Sequence, residues 1–182
     1  QVIVFNNTLQ AHVILDPHTF SNKKNIISAL VVAKEELTAF IPAINIVVGL
    51  TKREAFEDIA YSCSQMGVTN IRPIFAKRTH RNWLTEKELP RLHKIMIAAC
   101  EQAKQFVPPT LHLPETLSDI LATPMKNAFV CSPDGLALLN TLQTLEREKP
   151  PALTIFIGPE GGFDESEGDM LTNANLQSLA LG

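Results

Sequence analysis

The stretch LTIFIGPEGGFDESE, residues 153–167, passes from an apolar run through a glycine-rich loop into an acidic segment. Its β-branched beginning, Leu153–Ile157, predicts a buried strand. Asp164 and Glu167 stand three residues apart in a capping-box pattern, which predicts a helix that begins after Asp164. A strand, a loop without bulky side chains and a helix N-terminus let backbone N–H groups approach a ligand closely. The stretch therefore predicts either a ligand-binding loop or only a tight turn, because glycines after strands commonly just turn the chain.

After residue 43 the sequence alternates between apolar strand patterns and amphipathic helix patterns. Strands are predicted at Ile44–Leu50, Ile71–Ala76, Ala128–Cys131, Leu153–Ile157 and Leu176–Leu181. Helices are predicted at Lys52–Met66, Thr85–Gln105, Thr116–Ala122, Leu136–Glu148 and Glu165–Ala174. Thr85, with Glu88 as capping-box partner, should open the longest helix, and Gly67 should follow the end of the first. The alternation indicates an α/β fold, a mostly parallel sheet with helices on both faces.

Three motifs that are distant in sequence follow predicted strands. They are Ser132–Pro133, Gly158 and the terminal Leu181–Gly182. Parallel sheets of this kind bind ligands beyond the carboxyl ends of their strands. We therefore expect these motifs to meet at one edge of the sheet.

The first forty residues have a different pattern. Val2–Phe5, His12–Leu15 and Ile26–Val32 resemble short strands with polar turns between them, and helical periodicity is absent before Thr51. We expect residues 1–40 to form part of a small β-barrel and residues 41–182 to form the α/β domain. Pro42 marks the expected linker.

Composition is that of a compact protein of 182 residues with 45% hydrophobic content, enough for one good core. The sequence contains no apolar run near the roughly 18 residues of a spanning helix. Its start lacks a signal-peptide pattern, so a cytoplasmic location is expected. Cys63, Cys100 and Cys131 are far apart and fit reduced structural thiols better than disulfides or a metal site, and no metal is expected.

Charge suggests one local surface for nucleic acid. The net charge of −3 argues against a protein that coats nucleic acid without specificity. Phe75–Trp83 nevertheless gathers basic residues, of which Lys77, Arg78 and Arg81 are candidates for RNA phosphate contacts. The alternative is an ordinary solvated loop.

The sequence GPEGGF followed by a Ser/Glu-rich helix start closely resembles the signature of the bacterial 16S ribosomal RNA uracil-N3 methyltransferases, a branch of the SPOUT superfamily. The similarity extends over roughly residues 44–182, where further family landmarks occur in the same order. These landmarks are Val48–Lys52, Cys63–Pro73, Ala98–Ala103 and Phe129–Pro133.

The resemblance implies a SPOUT-type fold with a deep trefoil knot, preceded by a PUA-like, RNA-binding β-barrel of which residues 1–40 would be a part. The family continues past its Leu-Gly pair into a segment that closes the knot and carries an arginine thought to act at the base. This sequence stops at Gly182, so we expect that segment to be missing from it. The principal catalytic residue is then not among these 182 residues and stays unknown.

The activity implied is S-adenosylmethionine-dependent methylation of N3 of a uridine in 16S ribosomal RNA of the small subunit, by a cytoplasmic homodimer. Ser62, Gln65 and Gln105 depart from the family pattern. Two alternatives therefore stay open, a SPOUT methyltransferase acting on another RNA and a catalytically impaired RNA-binding relative.

The resemblance also assigns site residues. Those expected to bind the cofactor are Ser132, Pro133, Ile157, Gly158, Gly161, Gly162, Leu179, Ala180, Leu181 and Gly182. Lys52 joins the basic segment as a candidate for RNA contact. Glu160, Glu101 and Gln102 are the candidates for contact with the substrate or cofactor. Glu160 could instead satisfy backbone N–H groups, and Glu101 with Gln102 could be an ordinary exposed helix face.

Overall fold

The computed structural model describes residues 2–5, 9–15, 29–36, 40–79, 82–105 and 107–180. Near the amino terminus it contains a three-stranded antiparallel sheet in the order β1-β2-β3. Its strands are β1 Val2–Phe5, β2 Leu9–Leu15 and β3 Ala29–Glu36. The predicted strands lie within or overlap these three, and no helix precedes Thr51 in the described residues. The β-barrel and the division after residue 40 stay predictions, and the predicted turns lie outside the described residues.

The main sheet has seven strands, in the order β10-β8-β9-β4-β5-β6, with β7 also paired to β5. All these pairings are parallel. The strands are β4 Ala43–Gly49, β5 Asn70–Phe75, β6 Thr110–Leu111, β7 Glu115–Thr116, β8 Ala128–Ala137, β9 Ala152–Ile157 and β10 Gln177–Ala180. The helices are α1 Arg53–Gln65, α2 Leu89–Ala103, α3 Leu117–Leu121, α4 Leu138–Glu148 and α5 Glu165–Asn173. This arrangement confirms the predicted α/β fold with a mostly parallel sheet. The knot stays a prediction.

The core lies on both faces of the central strand β4, because successive side chains of a strand point to opposite sides. Ile46 and Val48 belong to one buried cluster, with residues of α1 and α2 such as Phe56 and Leu92. Val47 belongs to a second cluster, with residues of α3, β9 and α5. Helices therefore cover both faces of the sheet, as the alternating sequence predicted. Among the described helices, none is long and apolar enough to cross a membrane.

The cysteines of the described chain are free thiols. Cys63 and Cys100 are buried, and burial raises the pKa of each thiol to about 11. Both thiols therefore stay protonated at neutral pH and contribute to packing. Cys131 is half-buried.

The longest helix begins later than predicted, at Leu89 and not after Thr85. Thr85 and Glu88 do form a local contact, because the Thr85 N–H and hydroxyl both donate to the Glu88 carboxylate, at 3.1 and 2.6 Å. They close a turn that precedes the helix. Pro90 explains the difference, since it has no N–H to donate to the carbonyl of Glu86 and so prevents a helix from starting that early.

Strand β8 runs to Ala137, beyond the predicted end at Cys131. It pairs with β10 at Phe129 and Val130 and again at Leu136 and Ala137, with a register shift between. Residues 131–135 thus bulge out of the ladder. Pro133 cannot donate a ladder hydrogen bond, which places it at such an irregularity. Gly135 allows β8 to approach β10 closely after the bulge, because a Cβ there would lie 2.5 Å from the backbone of Leu179.

Two glycines should respond to alanine in opposite directions. Gly67 has φ +75°, and an added Cβ would lie 2.5 Å from Gln105 Nε2, so Gly67→Ala should lower the free energy of unfolding by about 1 kcal/mol. Gly168 lies inside α5 with no neighbour within 4 Å of an added Cβ, so Gly168→Ala should raise it by about 0.5–1 kcal/mol. Urea unfolding at neutral pH measures both. A gain in stability from Gly67→Ala would contradict this account of Gly67, and a loss from Gly168→Ala would contradict that of Gly168.

Candidate functional site

The loop after β9 is shaped by its glycines. Gly162 has φ +70°, which glycine adopts without strain, and its N–H donates to the carbonyl of Pro159 at 2.7 Å. A Cβ on Gly158 would lie 3.1 Å from Cα of Gly162, so the two ends of the loop are almost in contact. A Cβ on Gly49, at the end of β4, would lie 2.4 Å from the nitrogen of Pro159. The loop therefore packs backbone to backbone at the carboxyl ends of β4 and β9.

The helix after the loop begins as predicted. Asp164 is its N-cap and accepts a hydrogen bond from the Glu167 N–H at 2.8 Å. The Glu167 carboxylate accepts from the Asp164 N–H at 2.9 Å, which completes the capping box. The position of the loop is thus fixed at both ends, by a central strand and by a capped helix.

A cavity of about 580 Å³ opens between this loop, α5 and the bulge of β8. Its size lies within the usual range of small-molecule sites. Its lining consists of Arg78, Val130, Cys131, Ser132, Pro133, Ile157, Gly158, Pro159, Glu160, Gly161, Gly162, Phe163, Gly168, Leu171, Thr172, Leu176 and Ser178. The cavity therefore brings together the motifs that were expected to converge after β8 and β9.

Most of the residues expected to bind a cofactor line this cavity, namely Ser132, Pro133, Ile157, Gly158, Gly161 and Gly162. Leu179 and Ala180 do not. Their backbone lies against Gly135, and Leu179 is buried. Leu181 and Gly182 lie outside the described residues. The binding roles of all these residues stay predictions.

Some lining residues were not predicted, and periodicity could have shown only that they share one side of their element. Gly168, Leu171 and Thr172 are spaced three and four residues apart on α5, so they share the helix face toward the cavity. Ser178 alternates with the buried Leu179 along β10, which places the two on opposite sides of the sheet. Placing either element beside the loop required the strand order, which the sequence did not reveal.

The basic segment lies against the glycine-rich loop. The Lys77 N–H donates to Glu167 Oε1 at 2.7 Å, and the Lys77 ammonium lies 2.9 Å from Asp164 Oδ2. The Arg78 guanidinium donates to the carbonyl of Gly161, and its Cδ would lie 3.1 Å from a Cβ on that glycine. Arg78 thus forms part of the cavity wall. Arg81 lies outside the described residues, and RNA contact by this segment stays a prediction.

The other candidates lie in different places. Glu160 is exposed and lines the cavity at the tip of the loop. Glu101 and Gln102 are exposed on α2, where Gln102 accepts a hydrogen bond from the Tyr61 hydroxyl. Lys52 is the exposed N-cap residue of α1. Of these residues, only Glu160 belongs to the cavity lining.

Asp164 is the titrating group with the clearest perturbation beside the cavity. The backbone N–H of Glu167, and then the side chain of Lys77, lower the pKa of its carboxyl from 3.8 to about 2. Both donors favour the charged form. The ionised carboxylate thus connects the helix N-terminus with the basic segment.

Comparison with known proteins gives a consistent result. A family model described as an RNA methyltransferase domain matches residues 40–182. The ribosomal RNA small subunit methyltransferase E of Mesomycoplasma hyopneumoniae is 28% identical over 164 residues, which cover 89% of this chain and 69% of that protein. The protein of the same name from Synechocystis is 27% identical over 149 residues, 76% of this chain and 46% of that protein. The chain thus spans about half to two-thirds of the length of these relatives.

The fold is also that of a solved structure. The crystal structure of a ribosomal RNA small subunit methyltransferase E from Neisseria gonorrhoeae, bound to S-adenosyl methionine, superposes with a TM-score of 0.83 at 21% identity. The match covers 100% of this chain and 74% of that one. At 21% identity this likeness establishes the fold alone.

The low pKa of Asp164 predicts a specific acid response. Its stabilising contribution is complete above the unfolded value near 3.8 and is lost as pH falls through about 2. The parent should therefore be more stable than Asp164→Asn at pH 5, and this difference should vanish toward pH 2. Asparagine is chosen because it also caps helices well.

Urea unfolding from pH 5 to pH 2 measures this difference. A Lys77→Met variant should retain most of the parent's acid response, because the Glu167 N–H, the largest cause, remains. A constant offset between parent and Asp164→Asn over the whole range would contradict the assignment.

Proposed function

The chain belongs to the RNA methyltransferase domain family, and from this we propose that it is an S-adenosylmethionine-dependent methyltransferase acting on N3 of a uridine in 16S ribosomal RNA of the small subunit. The observation that supports the proposal most directly is the cavity between the bulge of β8 and the carboxyl end of β9. It joins the GPEGG loop and Ser132–Pro133, two separate landmarks of the family, in one wall.

The cavity fits a cofactor of this kind. A Cβ built on Gly162 meets no protein atom within 4 Å, so the loop backbone borders open space. Small or apolar groups such as Pro133, Ile157 and Gly158 provide walls and exposed backbone edges, which suit an adenosine. S-adenosylmethionine, when bound, would supply an electrophilic methyl group. We assign its binding to the predicted residues of this lining. From the family resemblance we also propose Leu179, Ala180, Leu181 and Gly182 as cofactor-binding residues.

The base requires different groups. N3 of uracil must lose its proton as it accepts the methyl group, and the base must be exposed to the enzyme. Of the three candidates Glu160, Glu101 and Gln102, only Glu160 lines the cavity. We therefore assign Glu160 to contact with the base or cofactor.

The RNA backbone would be bound by cations at the rim. Lys77 and Arg78 lie on the loop side of the cavity, and Lys52 follows β4, whose end packs against the same loop. We propose that these residues and Arg81 contact phosphates and so set the orientation of the strand, while specificity arises from the base. The proposed partner is 16S ribosomal RNA or the small subunit, and the proposed active form is a cytoplasmic homodimer.

The departures from the family pattern favour an active enzyme over an impaired relative. Ser62 and Gln65 are exposed on α1, and Gln65 donates to the Tyr61 hydroxyl at 3.2 Å. Gln105 lies at the end of α2 beside Gly67. None of these three residues belongs to the cavity lining, so the cavity wall itself does not carry the departures from the family pattern.

The activity can be tested with small ribosomal subunits that lack the methyl group. The purified protein, incubated with radiolabelled S-adenosylmethionine, should transfer label to 16S ribosomal RNA, and mass spectrometry of nucleosides should identify N3-methyluridine. Transfer to a different RNA would favour the alternative SPOUT activity. Binding of RNA without transfer to any RNA would indicate the impaired relative.

The role of the loop can be tested with two matched glycines. Gly162→Ala adds a methyl group to the cavity wall and strains a residue at φ +70°, so it should weaken S-adenosylmethionine binding about tenfold or more. Gly67→Ala imposes similar strain, at φ +75°, outside the cavity and should leave that affinity unchanged. Calorimetric titration measures both. Parent-like affinity in folded Gly162→Ala would mean that the loop is only a turn.

A further inference from the structure

We propose that Glu167 is a positioning residue that fixes Arg78 on the cavity wall and thereby sets affinity for RNA. The inference rests on the proposed function, because it concerns the RNA side of the same cavity. Glu167 is only 4% exposed and is absent from the cavity lining. Any effect on a ligand must therefore pass through the residues that it holds.

The two carboxylate oxygens of Glu167 serve different segments. Oε2 accepts from the Asp164 N–H at 2.9 Å, within the capping box of α5. Oε1 accepts from the Lys77 N–H at 2.7 Å, ninety residues away in sequence. A capping box needs only the first of these contacts. The second joins the basic segment to the helix and requires an explanation beyond helix capping.

Three further contacts lie along the boundary between the basic segment and the loop with its following helix. In one of them the Lys77 ammonium donates to the Ser166 hydroxyl. The Lys77 ammonium pairs with Asp164 Oδ2 at 2.9 Å, but its side chain is 60% exposed, so this pair is weak. The Arg78 guanidinium donates to the carbonyl of Gly161. Among the side chains in these contacts only that of Glu167 is buried, so its charge-assisted hydrogen bond to the Lys77 N–H is the least screened by solvent.

The contact between Glu167 and the Lys77 N–H also fixes the position of Arg78. Residue 78 follows directly on the backbone group that Glu167 holds, and its side chain lies over Gly161 with a Cδ distance of 3.1 Å to a Cβ built there. Its guanidinium is thus kept at the edge of the space where a base would enter. A fixed guanidinium there is suited to the phosphate of an extruded nucleotide, since less side-chain freedom is lost on binding.

The substitution Glu167→Gln tests this arrangement, because it keeps the size of the side chain but replaces one acceptor oxygen with a donor. One of the two N–H groups must then lose its partner. Glu165→Gln is the control, since it removes the same charge from the same helical turn at an exposed position. Arg78→Ala and the double variant Glu167→Gln/Arg78→Ala complete a double-mutant cycle.

Binding is measured with transcribed 16S ribosomal RNA and, separately, with S-adenosylmethionine. Glu167→Gln and Arg78→Ala should each weaken RNA binding about tenfold, and the double variant should be no weaker than Arg78→Ala alone. Cofactor affinity should fall less than RNA affinity in both variants, because Arg78 shares the cavity wall but is proposed to contact phosphate. Glu165→Gln should match the parent. Hydrogen exchange at the Lys77 amide should accelerate in Glu167→Gln and stay unchanged in Glu165→Gln.

Several results would overturn the proposal. Multiplicative losses in the double variant would show that Glu167 acts independently of Arg78. If Glu167→Gln fails to fold, Arg78→Ala alone decides, and parent-like RNA affinity in that variant refutes the role. RNA binding and hydrogen exchange are measured without methyl transfer, so these results do not depend on whether the protein is an active methyltransferase. A parent that binds RNA but transfers no methyl group contradicts the proposed function and leaves the cycle interpretable.

Discussion

The arrangement of the whole cavity depends on backbone atoms that approach too closely for any side chain. Gly49 is the last residue of the central strand β4, and a Cβ built on it would lie 2.4 Å from the nitrogen of Pro159. In the same way, Gly158 lies almost against Gly162. This packing holds the GPEGG loop at the carboxyl ends of β4 and β9. The space beside Gly162 is open because the loop folds back on itself without bulk. The cavity thus forms because glycines carry no side chain to fill it and because the sheet lies behind the loop.

Hydrogen bonds to one buried carboxylate then fix the end of the loop that the glycine packing does not reach. The three glycines of the loop offer no side-chain contacts, and the far end of the loop is fixed by the Asp164–Glu167 capping box. Glu167 extends this fixation to the basic segment through the Lys77 N–H. One buried carboxylate therefore stabilises the helix start and the neighbouring wall together. The ionised Asp164 next to it, with a pKa of about 2, keeps a cation on the same boundary at neutral pH.

The sequence predicted those features that local chemistry determines. Continuous apolar runs located β4 and β9 nearly to the residue, and the capping box at Asp164 was confirmed because both partners are close in sequence. The predictions that were wrong have either a long-range cause or a competing local one. Pro90 overrode the Thr85 helix start, and the bulge in β8 arises from packing against β10. Likewise, Arg78 was predicted as a basic surface residue, but its contact with Gly161 depends on tertiary structure.

Strand register connects the two ends of the sheet. Near its amino ends, a chain of polar side chains crosses the strands, with Asn45 donating to Thr154 at 3.4 Å and Asn70 donating to Asn45 at 2.7 Å. These residues are direct cross-strand partners, Asn45 with Thr154 and Asn45 with Asn70. A slip of one residue would break both contacts and turn each side chain to the other face. The same register sets Val48 opposite Ile157, which brings Gly49 to Pro159. Polar pairing at one end of the sheet therefore fixes the glycine contact that forms the cavity at the other.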